Sequence, residues 1–311
     1  MKRHRSSQDR SKFGRFKRIL LDPHRTFGAL FRRVFLKYIK NDETFIKWEY
    51  YFRMRKRLNL KNPKTYNEKL QWMKLYDRNP DYVRMVDKST AKDWVAEKLG
   101  TDKYCIPTLG IYDNFEDIDF DVLPNQFVLK TTHDCGGIII CKDKSTFDIA
   151  VARDKLNKHL ARDYFLESRE WPYKMASRRI MAEKHIEDNE GQGLKDYKFF
   201  CFNGEPKFMF IATGRGTDLR FDFFDIDFNL LPFEKTRPNS GRVIAKPDSW
   251  DEMLDLSRKL SRGMCAVRVD LYDVNGTIFF GEMTLFSGSG YEPFEPEEWD
   301  SIIGEWLVLP E

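Results

Sequence analysis

The chain has 311 residues, 41% of them hydrophobic and 33% charged, with a formal net charge of +4. It is long enough to bury two packed lobes, and no run approaches the roughly 18 apolar residues that a membrane-spanning helix needs. The five cysteines contain no C-x-x-C pair and the five histidines no H-x-x-H pattern, which argues against a zinc site or a disulfide framework.

Residues 1–40 hold thirteen Lys and Arg against Asp9 and Asp22, whereas the remainder is mildly acidic. Residues 1–18 are basic and poor in apolar side chains, the pattern of a disordered arm. They lack the apolar segment of a signal peptide, so the expected compartment is the cytoplasm. From Phe27, the positions Phe27, Leu30, Phe31, Val34, Phe35 and Tyr38 make one face of an amphipathic helix. Packing of that face on the body or on a second copy is the first reading. A contact of residues 19–40 with an anionic membrane surface, at the inner face of the membrane, is the second. No nucleic-acid partner is expected, because the body offers no basic surface to continue the patch.

Phe45 to Leu58 continues helically until Asn62-Pro63 breaks it. Thr65-Tyr-Asn-Glu68 has the form of a capping box and opens a helix through Leu75. Asp81 to Leu99 reads as a single amphipathic helix, stopped by Gly100. Beyond Pro107 the texture changes to short strands. Phe127–Thr131 and Ile138–Cys141 flank a turn at His133–Gly137, and residues 145–160 are helical. Arg179–Ile186 is strand-like and 188–193 is loop. Tyr197–Phe202 turns at Asn203-Gly204 to pair with Pro206–Ala212; Phe221–Phe228 is a further strand and Trp250–Arg262 a helix. The segment AVRVDLYDVNGTIFFGEMTLFSGSG, residues 266–290, reads as a hairpin turned at Asn275-Gly276. The fold class is α+β: a helical N-terminal region, then antiparallel hairpins mixed with helices in two lobes.

Asp270 and Glu282 fall five to six residues either side of that turn, close enough to meet on neighbouring strands. Two carboxylates on rigid strands beside Ser287-Gly-Ser-Gly290 suit a hard cation such as Mg²⁺ next to a ligand loop; solvated acids on a polar face are the plain alternative. Lys130 ends a strand before a glycine-bearing turn, where backbone N–H groups and an ammonium together attract phosphate. Glu183-Lys184-His185-Ile186 ends a strand at a polar loop, where a base such as adenine finds acceptors, donors and apolar faces. Asp196 and Lys198 share one face of a strand, which suits ribose hydroxyls and phosphate, or a cross-strand ion pair. Arg215 and Arg220 flank a glycine-bearing turn that could position negative charge or simply face solvent.

The order Lys88, Lys130, glycine turn, E-K-x-I, D-Y-K, R-x-D and G-E-x-T resembles the ATP-grasp superfamily. More closely, LNLKNPKTYNEKLQWMKLYDRNP, DYVRMVDKS, DYKFFCFNGEPK and FFGEMTLFSGSG resemble its TupA-like branch, associated with bacterial surface-polysaccharide gene clusters. The resemblance covers roughly residues 45–310. It implies an ATP-grasp fold, two α+β lobes clamping ATP. The expected layout is a basic arm over 1–44, a helical region over 45–100 and a catalytic domain over 101–311, its lobes meeting near residue 180.

The resemblance further implies that Lys130 binds phosphate beneath a loop carrying His133, Gly136 and Gly137, and that Lys88 is the early ATP-site lysine that begins the domain. Glu183, Lys184 and Ile186 match the adenine hinge. Asp196 is similar to the ribose acid, with Glu187 and Glu190 as competitors. Asp270 and Glu282 match the magnesium acids, and Arg268, Lys198 and Arg215 are the expected catalytic cations. Thr284 stands where the superfamily usually has asparagine, a weaker third ligand. Ser287, Gly288 and Gly290 border the acceptor. The implied activity is an ATP- and Mg²⁺-dependent carboxylate–amine ligase working through an acyl phosphate. Its implied partners are a sugar acid of a surface polysaccharide or its precursor, and an amine. The alternatives are a glycosyltransferase using Asp225-Ile226-Asp227 or Asp117-Ile118-Asp119, an ATP-grasp kinase, or a non-catalytic nucleotide binder.

Overall fold

The computed structural model describes residues 38–188, 194–214 and 218–310. Residues 1–37 of the basic arm, nearly all of the helix expected over 27–38, Glu190 and Arg215 lie outside the described residues.

Helix α1 (Asp42–Met54) starts at Asn41, whose side chain accepts from Thr44 N. Helix α2 (Tyr66–Tyr76) opens on the capping box of Thr65 and Glu68. The single helix expected over 81–99 is two, α3 (Asp81–Val86) and α4 (Lys88–Leu99), parted at Asp87. Asp87 leaves helical backbone and caps α4: one carboxylate oxygen accepts from Ser89 N, the other from Ser177 N, both at 2.9 Å. An aspartate that can satisfy helix-end donors overrides an apolar periodicity that runs straight through it.

A four-stranded antiparallel sheet follows, from β1 (Thr108–Tyr112), β2 (Phe127–Thr131), β3 (Ile138–Cys141) and β4 (Ile180–Lys184), in the order β1-β4-β2-β3. Helices α5 (Ile149–Leu160) and α6 (Phe165–Ser168) lie between β3 and β4 in the chain. Ala152 and Leu156 of α5 pack with Phe127, Leu129 and Ile180 in this sheet's own core.

The larger sheet is built from β5 (Lys195–Phe202), β6 (Glu205–Thr213), β7 (Arg220–Asp225), β9 (Ala266–Val274) and β10 (Thr277–Thr284), in the antiparallel order β10-β9-β5-β6-β7. Strands β8 (Glu234–Lys235) and β11 (Phe294–Glu295) form a separate short pair. Helices α7 (Trp250–Ser261) and α8 (Glu298–Trp306) complete the fold. The nine-residue α8 follows a Pro-bearing acidic stretch and is not evident in the sequence. One hydrophobic core joins Leu70, Met73 and Trp94 of the early helices to Phe199, Phe208 and Val269 of this sheet. Among the described residues no helix is long and apolar enough to cross a membrane.

The β9–β10 hairpin turns at Asn275 and Gly276, both at positive φ, and Asp273 accepts from Gly276 N at 2.8 Å. Its register runs Phe280 opposite Leu271 and then Glu282 opposite Asp270, so Gly281 is an extra residue, a bulge. With strict pairing Glu282 would face Val269 and the core; the bulge returns it to the side of Asp270.

Candidate functional site

A charged row crosses three strands of the large sheet. Two-residue spacing puts Asp196 and Lys198 on one face of β5, Arg268 and Asp270 on β9, and Glu282 and Thr284 on β10. Lys198 pairs with Asp270, and Asp270 with Glu282, across the ladder. The Lys198 ammonium donates to Asp270 Oδ2 and lies 2.8 Å from Asp196 Oδ2. Arg268 Nε donates to Asp270 Oδ1 at 2.6 Å. Its Nη2 reaches Asp270 Oδ2 at 2.7 Å, Thr284 Oγ1 at 2.9 Å and Glu282 Oε1 at 3.1 Å. Burial opposes the charge of Asp270, yet Arg268 and Lys198 hold its carboxyl below the usual carboxylate range. Burial also opposes the Lys198 ammonium and the Arg268 guanidinium, and Asp270 outweighs it, raising both.

Three carboxylates against two cations leave the row one negative charge in excess. Its oxygen donors are hard and held on rigid strands, the chemistry that magnesium takes when it keeps some waters and shares phosphate oxygens. The Thr284 hydroxyl, besides accepting from Arg268, is 3.3 Å from Glu282 Oε1. Among the described residues no group of three or more His, Cys, Asp or Glu converges as a closed metal cage. The oxygens of Asp270, Glu282 and Thr284, neighbours on β9 and β10, fit a hard cation.

The second cluster is on the small sheet. Lys130 pairs with Met181, so Glu183 is its diagonal neighbour on the same face. The Glu183 carboxylate takes the ammonium of Lys130 and, at 2.6 Å, that of Lys92. Burial raises Glu183, but the two lysines outweigh it and leave its carboxyl lowered; burial pushes Lys92 down. Two ammoniums on one carboxylate keep positive charge at the end of β2. Lys184 N donates to Pro107 O at 3.0 Å while its side chain is exposed, and Ile186 is half-buried just beyond the strand.

The His133–Gly137 loop is braced from below. Lys88 Nζ donates to Asp134 O at 2.6 Å, and Arg162 Nη1 to Cys135 O at 3.1 Å. The buried Asp134 carboxylate accepts from Thr131 Oγ1 and meets His159 Nδ1. His133 is buried with its Nε2 3.1 Å from Arg162 O, and burial pushes it below the usual histidine range. A Cβ on Gly137 would collide with Thr131 Oγ1, so this turn closes only around glycine.

The two clusters approach each other at Cys135, which feels Glu282 of the large sheet and Lys88 beneath the loop. Burial raises the Cys135 thiol at the loop tip, and Glu282 of the large sheet is the next contributor. Half-buried Tyr173 feels both Glu282 and Cys135. At the far edge Arg268 Nη1 donates to Ser287 Oγ at 3.3 Å, tying the row to the Ser287–Gly290 turn. There Gly288, Ser289 and Gly290 all take positive φ.

The structure thus gathers Asp196, Lys198, Arg268, Asp270, Glu282, Thr284 and Ser287 on one side. On the other it gathers Lys88, Lys130, His133, Gly136, Gly137 and Glu183. Asp196 stands in the row beside Lys198, while Glu187 is exposed and 3.8 Å from Lys142. The D-x-D triplets build turns: Asp225 accepts from Asp227 N and Asn229 N, and Asp117 accepts from Asn114 N. Lys92, Asp134 and Arg162 were not singled out from the sequence. Lys92 carried a signal, one helical turn after Lys88; the other two are joined only by the fold.

Among solved structures, D-alanine–D-alanine ligase from Bacillus anthracis complexed with ATP is 17% identical, over 65% of this chain and 54% of that chain, with a TM-score of 0.37. The Helicobacter pylori D-alanine–D-alanine ligase is 15% identical over 78% and 69%, with a TM-score of 0.41. N5-carboxyaminoimidazole synthase from Aspergillus clavatus, in complex with ADP and an aminoimidazole ribonucleotide, is 11% identical over 66% and 45%, with a TM-score of 0.38. The chain spans about half the length of the first of these, and likenesses this slight carry no weight beside the sequence match below. No curated protein matches. The sequence profile of the TupA-like ATP-grasp family, in contrast, matches residues 68–308, most of the chain and every residue of both clusters. The chain belongs to the TupA-like ATP-grasp family.

Proposed function

We propose that this protein is an ATP- and magnesium-dependent ligase that joins a carboxylate to an amine through an acyl phosphate. The acceptor is a uronic acid of a bacterial surface polysaccharide or of its precursor, and the amine an amino acid or similar amine. The observation that carries the reading is the row of Lys198, Asp270 and Glu282 in register on three strands, forked by Arg268.

Lys130 and Lys88, with the braced His133–Gly137 loop, take the charge of the ATP phosphates, and Lys184 and Ile186 border the adenine. Magnesium, held by Asp270, Glu282 and the Thr284 hydroxyl, would supply charge neutralisation at the phosphate oxygens. A carboxylate oxygen of the acceptor attacks the γ-phosphorus, the bond to the bridging oxygen breaks, and ADP leaves with the electron pair. Arg268 and Lys198 stabilise the charge that spreads over the transferred group. The amine nitrogen then attacks the acyl carbon: the C–N bond forms, the C–O bond to phosphate breaks, inorganic phosphate departs and the amine proton passes to water. No side-chain nucleophile is required.

The test is the full chain with MgATP, glucuronate and hydroxylamine, which traps an acyl phosphate as a hydroxamate. ADP and hydroxamate should appear in equal amounts, and Glu282→Gln should abolish both while leaving the thermal midpoint near that of the parent. A phosphorylated sugar without hydroxamate would make the protein a kinase. Release of a nucleoside diphosphate from a sugar nucleotide would make it a glycosyltransferase. Either outcome overturns the ligase reading.

A further inference from the structure

Behind the Ser287–Gly290 turn lies a buried set of polar groups that the chemistry above does not use. Lys74 on α2 is 1% exposed. Its ammonium donates to Ser289 O at 2.7 Å and Ser168 O at 3.1 Å, and lies 4.3 Å from the centre of the Tyr291 ring. Glu170 grips the same two residues by their side chains: Oε1 accepts from Ser168 Oγ at 3.0 Å and from Ser289 Oγ. Gln71, three residues before Lys74 and so on the same face of α2, donates to Ser289 O at 2.9 Å and Gly290 O at 2.8 Å. A Cβ on Gly290 would come within 2.9 Å of Leu70 Cβ, so helix and turn pack too closely for any side chain there.

Burying an ammonium and a carboxylate is costly unless both are satisfied. Burial drags the Lys74 amine down to about 7 and raises the Glu170 acid, each resisted by the other; Glu49 and Arg53 of α1 also act on Lys74. A non-glycine residue at positive φ, such as Ser289, persists only where its surroundings over-determine it. Both charged groups converge on that serine, one on its carbonyl and one on its hydroxyl. The opposite end of the same turn is held by Arg268 through Ser287.

We propose that Lys74 and Glu170 are positioning residues that fix Ser289 and thereby hold the Ser287–Gly290 turn in the shape that receives the acceptor carboxylate. The proposal rests on the acceptor role given to that turn above. It makes the early helices part of the acceptor site, because Lys74 and Gln71 come from α2 and reach across more than two hundred residues of sequence. Lys74 and Glu170 act through Ser289, one on its carbonyl and one on its hydroxyl.

Two measurements on the full chain test it. In the hydroxamate assay, Lys74→Met should raise the KM for glucuronate about tenfold with the KM for ATP nearly unchanged. Glu170→Gln, whose amide oxygen still accepts from Ser289, should keep most of the parent's affinity, and Glu170→Leu should not. In hydrogen exchange, amides of residues 285–291 should open about tenfold faster in Lys74→Met, with residues 266–274 unchanged. Unchanged exchange in the turn overturns the proposal, as does a parallel rise of both KM values. A parent protein that forms no hydroxamate from glucuronate sinks the acceptor reading alone, and the exchange experiment still decides the bracing of the turn. Should Lys74→Met fail to fold, Ser289→Ala removes one hydroxyl and is read in the same two measurements.

Discussion

Glu183→Gln is the most informative single change in the small sheet. The carboxylate is 4% exposed and pairs with both Lys92 and Lys130, whose side chains are 14% and 19% exposed. Removing one member of a buried ion pair costs about 3–5 kcal/mol, because the remaining charge is left unpaired. Water reaches the two lysines in part, which places the loss at the lower end, about 3 kcal/mol at pH 7. For a urea slope of about 2–3 kcal/mol/M that is a midpoint shift on the order of 1 M.

The pH dependence has a definite sign. Glu183 has a depressed carboxyl pKa in the folded state, so its contribution is present above the unfolded value of about 4.3 and is lost as pH falls through the folded value. The deficit of the variant should therefore shrink in acid. In the variant Lys92, already lowered by burial, loses its counter-charge; a depressed ammonium penalises folding until pH rises through its folded value towards about 10.4. The deficit should shrink again in base. Urea unfolding of parent and variant at about pH 3, 7 and 10 measures all three. A loss below about 1 kcal/mol at pH 7, or one that does not vary with pH, refutes the assignment of Glu183 as the shared counter-ion.

Other expectations concern the scaffold. Asp87→Ala removes the cap of α4 and the acceptor of Ser177 N, and should cost about 1–2 kcal/mol in urea unfolding. Gly290→Ala meets positive φ and a collision with α2 together, whereas Gly100→Ala meets positive φ in open space. The first should lower the thermal midpoint well beyond the second, which is worth about 1 kcal/mol; equal shifts would mean the turn does not press on α2. Asp134→Asn loses the charge facing His159 and Arg162, so protection of the His133–Gly137 amides in hydrogen exchange should fall about tenfold; unchanged protection removes Asp134 as the brace.

Local chemistry made much of the architecture readable. The Asn275-Gly276 turn, the Thr65–Glu68 capping box and the strands flanking His133–Gly137 lie where turn, cap and two-residue patterns put them. The charged row was legible for the same reason, since Asp196 with Lys198 and Arg268 with Asp270 repeat the strand period. What escaped needs information that no local window contains. The Gly281 bulge decides which face Glu282 occupies, yet a glycine in a strand only hints at it. Asp134 meets Arg162 across 28 residues and Ser289 meets Glu170 across 119, with no periodicity linking either pair. The break at Asp87 shows the reverse case, a capping residue hidden by the apolar pattern on both sides of it.

The core shared by the early helices and the large sheet has a bearing on how the chain is made. Asn67 N donates to Asp300 at 2.9 Å, and Lys69 to Leu307 O at 2.6 Å, so residues separated by more than 230 positions close the same seam. A ribosome delivers α2 long before α8 or the β9–β10 hairpin exists. Until then Leu70, Met73 and Trp94 lack the partners they meet on the large sheet. The small sheet, whose strand pairing lies within residues 108–184, can form its ladder in the meantime. Birth order and folding order therefore differ: the nascent chain depends on its late-emerging segments, and a stalled ribosome would leave exposed the side chains most prone to aggregate.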